Sequence, residues 1–366
     1  VKLYGRKDAT WLAAELKKRI AAQPLPSAPT PLDQTATVLT TYANTIQVSS
    51  GQNTPLVTLH QFLQRYQITP TLSILHLLPF YPWDTDRGFS IKDYRHVHAD
   101  LGTWDEIAAI GEDAKLMFDF VANHASINNP WIQGALIARH LDQDDPRYAK
   151  YAPYHDFAIA YSDDEKPSDE ELAKLSRPRA TPVLTRYTVI EKTEKSLKAQ
   201  LGLPSEVPRS GTKLGWGWVW TTFSRPPSQN GQENTRQVDI NYKNPRVLLA
   251  IIDVLLFYSQ QNANFLRLDA IGYTWKKLGS SSLHEPEAHL LIAIIDQVLA
   301  AAAPHLTTVA EVNEPQDKVF PYLGSGDHPE ADLVYQMTQF PLAVHAILFK
   351  NTEYYKHWLS SSPNIN

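Results

Sequence analysis

Three short apolar runs in this chain carry a carboxylate at or near their end: Asp119 in the run 115–121, Asp269 closing 264–269, and Glu311 closing 306–311. They belong to a series. Further runs stand at 37–42, 72–78 and, more weakly, 332–335, and longer helix-patterned stretches separate them. One such stretch passes through Leu59, Phe62 and Leu63. Another starts where Thr103 can cap Trp104-Asp105-Glu106, and a third starts at Asn244-Pro245. Short strands alternating with helices read as βα units that build a parallel sheet. The expected fold class is therefore α/β, a (β/α)8 barrel that is incomplete, with about six of eight strands.

The region 140–237 breaks the alternation. It is rich in Pro, Gly, Ser and charge, and its one clear strand is Gly217-Trp218-Val219-Trp220-Thr221-Thr222-Phe223. It reads as an inserted subdomain after strand three, with flexible excursions at 192–214 and 224–236. The expected division is 1–139 for the first part of the barrel with an N-terminal helical extension, 140–237 for the insertion, and 238–366 for the barrel continued, ending before strand seven.

Composition narrows the functions. At 366 residues and 43% hydrophobic the chain can bury a large core. A formal charge of −5 gives no electrostatic reason for nucleic acid or an anionic membrane as partner. No segment approaches the run of about 20 apolar residues that spans a bilayer. The first residues lack the pattern of a secretory signal, and there are no cysteines, which removes disulfides and thiolate chemistry. These features point to a cytoplasmic protein. Val1 in place of Met leaves the natural start open. Nine Trp and 17 Tyr are more than such a core needs, and sugar clefts favour flat aromatic faces, although most of them serve as ordinary core residues.

The carboxylates give the chemistry. In a (β/α)8 barrel the active site lies at the C-terminal ends of the strands, so a polar residue closing an apolar strand faces substrate. A lone Asp there is more often a cap or turn residue, and an Arg-x-Asp alone is a weak pattern. In order on strands three, four and five, they form a constellation. Arg267 stands two residues before Asp269, so both side chains face one side of the strand, and its guanidinium is expected to hold Asp269 ionised. Acids on neighbouring strands can approach the roughly 5–5.5 Å separation of a retaining glycosidase pair. Asp269 suits the nucleophile, and Glu311, held protonated by its surroundings, suits the general acid.

Three motifs carry a specific resemblance. Asp119-Phe120-Val121-Ala122-Asn123-His124, Arg267-Leu268-Asp269-Ala270 and Glu311-Val312-Asn313 resemble the signatures of the α-amylase superfamily, glycoside hydrolase family 13. The resemblance implies Asp269 as nucleophile, Glu311 as general acid/base, and Arg267 and His124 near the reacting sugar. Leu78-Pro79-Phe80-Tyr81-Pro82, followed by the stretch Asp84 to Tyr94, is similar to the sucrose-phosphorylase subfamily. That implies Asp86 closing a one-glucose pocket and Phe89 packing beneath the ring. Arg177-Pro178-Arg179 continues the similarity and makes Arg179 a ligand for phosphate or acceptor. Asn313, with His284 and Pro286, resembles the glucosylglycerate phosphorylases within that branch.

The resemblance implies retaining α-glucosyl transfer to inorganic phosphate, with a small-molecule sugar as partner and α-glucose 1-phosphate as product. An exo-acting α-glucoside hydrolase or transglucosylase would use the same two acids, and a sugar-binding fragment without activity is a third reading. Many amylases hold calcium near Asn123, but the branch resembled here does without it, so no metal and no cofactor is expected. The superfamily's third acid, in a His-Asp signature after strand seven, lies beyond the approach matched by His357-Trp358. The chain is accordingly expected to be a truncated product, weakly active alone, whose activity and melting temperature rise when the next natural residues are added. Oligomeric state is left open.

Overall fold

Six parallel strands hydrogen-bond side by side in chain order: β1 Val38–Thr41, β2 Ile74–Leu77, β3 Lys115–Val121, β4 Ala263–Asp269, β5 Thr307–Ala310 and β6 Leu333–Val334. They come from a computed structural model that describes residues 2–24, 32–48, 51, 53–84, 86–179, 181–190, 213–223 and 237–361. The expected runs and the observed strands agree closely, and β3 has the same bounds in both. Among the described residues β1 and β6 are the two edges, so the sheet is an incomplete barrel as expected.

Period-two alternation decides which side chains enter the barrel. At the base, Ile74, Met117, Phe265 and Val309 form a buried cluster against Tyr335. Two residues further along their strands stand His76, Asp119, Arg267 and Glu311. The barrel interior is thus apolar below and charged above. Asp119 lies within β3 and not after it, because the strand continues through Phe120 and Val121.

The outer faces of the strands pack on helices whose ends are set by sequence. Thr103 and Glu106 form a capping box for Trp104–Gly111. Asn244 accepts from the Arg246 N–H at 2.9 Å, and Pro245 takes the first turn of the long helix Pro245–Gln260. The last helices, Gln339–Phe349 and Glu353–Ser360, bury no residue, and Phe340 and Ile347 are about three-quarters exposed, at 76% and 75%.

The insertion after β3 carries an antiparallel sheet of Ala160–Tyr161, Lys213–Trp220 and Leu184–Ile190, with Lys213–Trp220 in the middle. The expected strand at 217–223 starts earlier and ends earlier, since Thr221 turns away to donate to the Val183 carbonyl. Leu184–Ile190 was not expected as a strand. It places Thr185, Tyr187 and Val189 at alternate positions, and the Pro and Arg residues before it mask that pattern. Gly215 faces the helix Pro130–Ala138, where a Cβ would meet the Leu136 carbonyl oxygen at 2.3 Å. The expected excursion 224–236, and nearly all of 192–214, lie outside the described residues. A two-stranded antiparallel ladder, His124–Ser126 with Gln237–Asp239, ties the two ends of the insertion to the top of the barrel.

Candidate active site

Arg267 sits at the centre of the charged upper layer. Its Nη1 donates to Asp269 Oδ1 at 2.7 Å and makes a shorter contact to Asp119 Oδ1, and its Nη2 lies 3.6 Å from Glu311 Oε1. The register explains the convergence: Arg267 pairs with Asp119 on β3 and with Val309 on β5, two residues before Glu311. On the far side of Asp119, His76 Nε2 is 2.9 Å from Oδ2. His76 was missed at the sequence level, although alternation in 72–78 places it on the barrel side.

One guanidinium therefore serves three carboxylates. Burial works against the charge on Arg267, but Asp119, Asp269 and Glu311 together outweigh it and raise its pKa. For Asp269 the balance runs the other way. Burial pushes it up, Arg267 opposes, and the charges of Glu311 and Asp119 add to the rise, leaving it at about 7. The guanidinium of Arg267 was expected to hold Asp269 ionised; it does favour the charged form, but burial and the two neighbouring acids outweigh it. The neighbouring pair was read in isolation, whereas the fold surrounds one cation with three anions in a dry pit. In the role expected of it, a nucleophile, Asp269 must be ionised, so kcat/KM for a reaction it carries is expected to fall as pH drops through about 7. A pH–rate profile flat from about 5 to 8 would contradict this.

Glu311 is positioned from its backbone and its tip. Its N–H donates to the Leu268 carbonyl at 3.0 Å, continuing the β4–β5 pairing, and its Oε2 accepts from the Ala270 N–H at 3.0 Å. Ala270 adopts φ 52°, a left-handed conformation rare for a residue with a side chain. The turn straight after Asp269 thus aims a backbone donor at the second acid.

Above these groups opens a cavity of about 600 Å³. Of the residues expected in the site, Asp269, Glu311, Phe89, His124 and Arg179 line it, and Arg267 lies beneath, 5.8 Å from the Phe89 ring centroid. The side chain of Asp86 lies outside the described residues; its backbone belongs to the short turn Asp86–Gly88 at the cavity's rim. His124 Nε2–H and Gln237 Nε2–H both donate to the Phe89 carbonyl at 3.0 Å, which fixes that loop from two sides. Arg179 donates to the Phe223 carbonyl at 2.6 Å, so the insertion holds it at the cavity. Tyr42, Arg87, Phe223 and Gln237 line the cavity as well and were not singled out from sequence. Tyr42 follows β1 directly, and the strand-end rule applied to the first run would have found it. Asn123, named with a metal in mind, offers its Oδ1 to the Lys276 ammonium at 2.6 Å.

Two acids and an arginine meet at the C-terminal ends of adjacent parallel strands, beneath a cavity that residues of the insertion help to line, and this is an α/β barrel with its polar site at the strand ends. Comparison with known proteins sharpens this. Residues 71–358 match the family model of the alpha amylase catalytic domain, and the chain belongs to that family. It is 36% identical over 328 residues to the glucosylglycerate phosphorylase of Spirochaeta thermophila, covering 90% of this chain and 46% of that protein. It is 39% identical over 308 residues to that of Allomeiothermus silvanus, covering 84% and 46%. The chain thus spans about half the length of the curated relatives it matches. Among solved structures, sucrose 6F-phosphate phosphorylase from Thermoanaerobacter thermosaccharolyticum superposes with a TM-score of 0.68 at 22% identity, covering 91% of this chain and 58% of that one. That likeness speaks for the fold. Among the described residues no helix is long and apolar enough to cross a membrane.

Proposed function

We propose that the protein catalyses reversible phosphorolysis of a small α-glucoside with retention, acting in the cytoplasm on a sugar such as glucosylglycerate or sucrose. The observation that carries this is the meeting of Asp269 and Glu311 at one guanidinium under an arginine-bearing cavity. The names of the relatives supply the substrate class. An Asp269 oxygen attacks the anomeric carbon from the face opposite the acceptor. The acceptor's C–O bond breaks, and Glu311 gives its proton to the departing oxygen. A phosphate oxygen then attacks the same carbon, the bond to Asp269 breaks, and Glu311 takes back a proton. Two inversions give α-glucose 1-phosphate.

In this reading Asp86 and Phe89 enclose the glucosyl unit, His124 and Arg267 hold it, and Arg179 meets the phosphate or the acceptor. A cationic side chain at that place favours phosphate over water as second nucleophile. The region 140–237 serves as a separate domain B that forms one wall of the cavity. The reaction needs no metal or cofactor.

The test is phosphate release from α-glucose 1-phosphate, with and without glycerate, glycerol or fructose. Release that depends on one acceptor is the expected result and names that acceptor. Release of equal size without any acceptor would replace phosphorolysis by hydrolysis. No release under any condition would leave a sugar-binding chain without this activity.

A further inference from the structure

Arg87 lines the cavity, yet the reaction as described leaves it without a task. Its side chain is exposed, and no other described residue pairs with it. The other guanidiniums at the site are engaged. Arg267 faces three carboxylates, and Arg179, half-buried, donates to the Phe223 carbonyl. The two cavity-lining arginines also come from different parts of the chain, Arg179 from the insertion and Arg87 from the turn after β2.

That turn is braced. Arg87 stands at φ 50° and ψ 49°, a left-handed conformation that is unfavourable for a residue with a side chain and persists only where neighbours enforce it. Before it, the Asp84 N–H donates to the Ser90 carbonyl at 3.2 Å. The Asp84 carboxylate accepts from Asn128 Nδ2 at 3.0 Å and, in a shorter contact, from the Ser126 hydroxyl, with Lys92 Nζ 3.7 Å from its other oxygen. After it, Gly88 packs so closely on the preceding loop that a Cβ would come within 2.5 Å of the Pro79 carbonyl oxygen. The Phe89 carbonyl then takes its two hydrogen bonds from His124 and Gln237. A cation carried on such a turn is placed in advance, so less freedom is lost when it meets a ligand.

The phosphorolysis reading, on which this rests, puts the reacting carbon against Asp269, which is only 8% exposed. The glucosyl unit is then the deep part of the ligand and the acceptor the part nearest solvent, where Arg87 is exposed. A guanidinium offers a planar fork of donors that matches a carboxylate. We propose that Arg87 is a specificity-determining residue: it binds the carboxylate of a small hydroxy-acid acceptor and so selects that acceptor over an uncharged polyol of the same size.

The test compares D-glycerate with glycerol as acceptors for α-glucose 1-phosphate, in the full chain and in Arg87→Asn. Asn adopts the left-handed conformation more readily than Arg, so the variant keeps the turn. The preference for glycerate over glycerol, as a ratio of kcat/KM, should fall about 10- to 100-fold, chiefly through KM for glycerate, and Arg87→Lys should lie between. Equal losses with the two acceptors, no loss, or a rise in KM for α-glucose 1-phosphate as large as that for glycerate would overturn the assignment. If the parent releases phosphate with neither acceptor, it is the phosphorolysis reading that fails, and binding decides the role of Arg87. D-glycerate should then raise the melting temperature of the parent more than glycerol does, and Arg87→Asn should abolish the difference. A parent that responds alike to both, or an Arg87→Asn protein that keeps the difference, would overturn it as well.

Discussion

Replacing Asp269 with Asn will lower kcat for glucosyl transfer by on the order of 10⁴-fold or more, without loss of the fold. The amide keeps the shape of the carboxylate and the contact distance to Arg267 but cannot form the glycosyl ester. It also removes one of three anions around a single guanidinium. Because burial already disfavours the charge on Asp269, the variant should melt no lower than the parent, and a melting curve separates lost chemistry from lost structure. Glu311→Gln provides the contrast. Its kcat should fall about 10²–10⁴-fold with an acceptor that needs a proton to leave. With glucosyl fluoride, whose leaving group needs none, Glu311→Gln should recover formation of the covalent intermediate and Asp269→Asn should not. Equal behaviour of the two variants toward the fluoride would refute the assignment of roles.

The βα alternation and the acids on strands three, four and five were legible because both depend on local pattern. A strand with one face in the barrel must alternate, and a carboxylate survives in it only at the rim or in partnership. The partnership itself was not legible. Sequence spacing joined Arg267 to Asp269, two residues away, but could not show that Asp119 and Glu311 share the same guanidinium, since only the register of β3, β4 and β5 brings them there. The electrostatic reading of Asp269 therefore changed even though its place did not. His76 and Lys276 were missed for the same reason. Each is a polar residue in an ordinary context, and its partners are 43 residues away at Asp119 and 153 away at Asn123. The strand Leu184–Ile190 was missed because it is an edge strand of an inserted sheet, outside the βα alternation that marks the barrel strands.

Arg267→Met should be the most damaging single change in the charged layer, affecting stability and catalysis together. The guanidinium is 14% exposed and is the cation that faces Asp119, Asp269 and Glu311. Without it three carboxylates confront one another in a desolvated pit, and at least one must bind a proton. Removing one partner of a buried ion pair costs about 3–5 kcal/mol, and kcat/KM should fall by at least about 10³-fold because Asp269, the proposed nucleophile, loses the group that favours its charged form. The pH dependence gives the sharper test. Asp269 titrates near 7 in the folded protein and near 3.8 in a free side chain. The folded state thus holds this proton more tightly, and its contribution to stability is present at low pH and lost as pH rises between those values. Arg267 is what limits the rise, so in Arg267→Met the loss continues to higher pH. The melting-temperature gap between parent and variant should therefore widen from about pH 6 to about pH 8. Arg267→Lys retains a charge but lacks the planar fork that reaches Asp119, Asp269 and Glu311 at once, and should fall between the two. A gap that narrows with rising pH would show that the three acids are not coupled through Arg267, and the pit would need another source of positive charge.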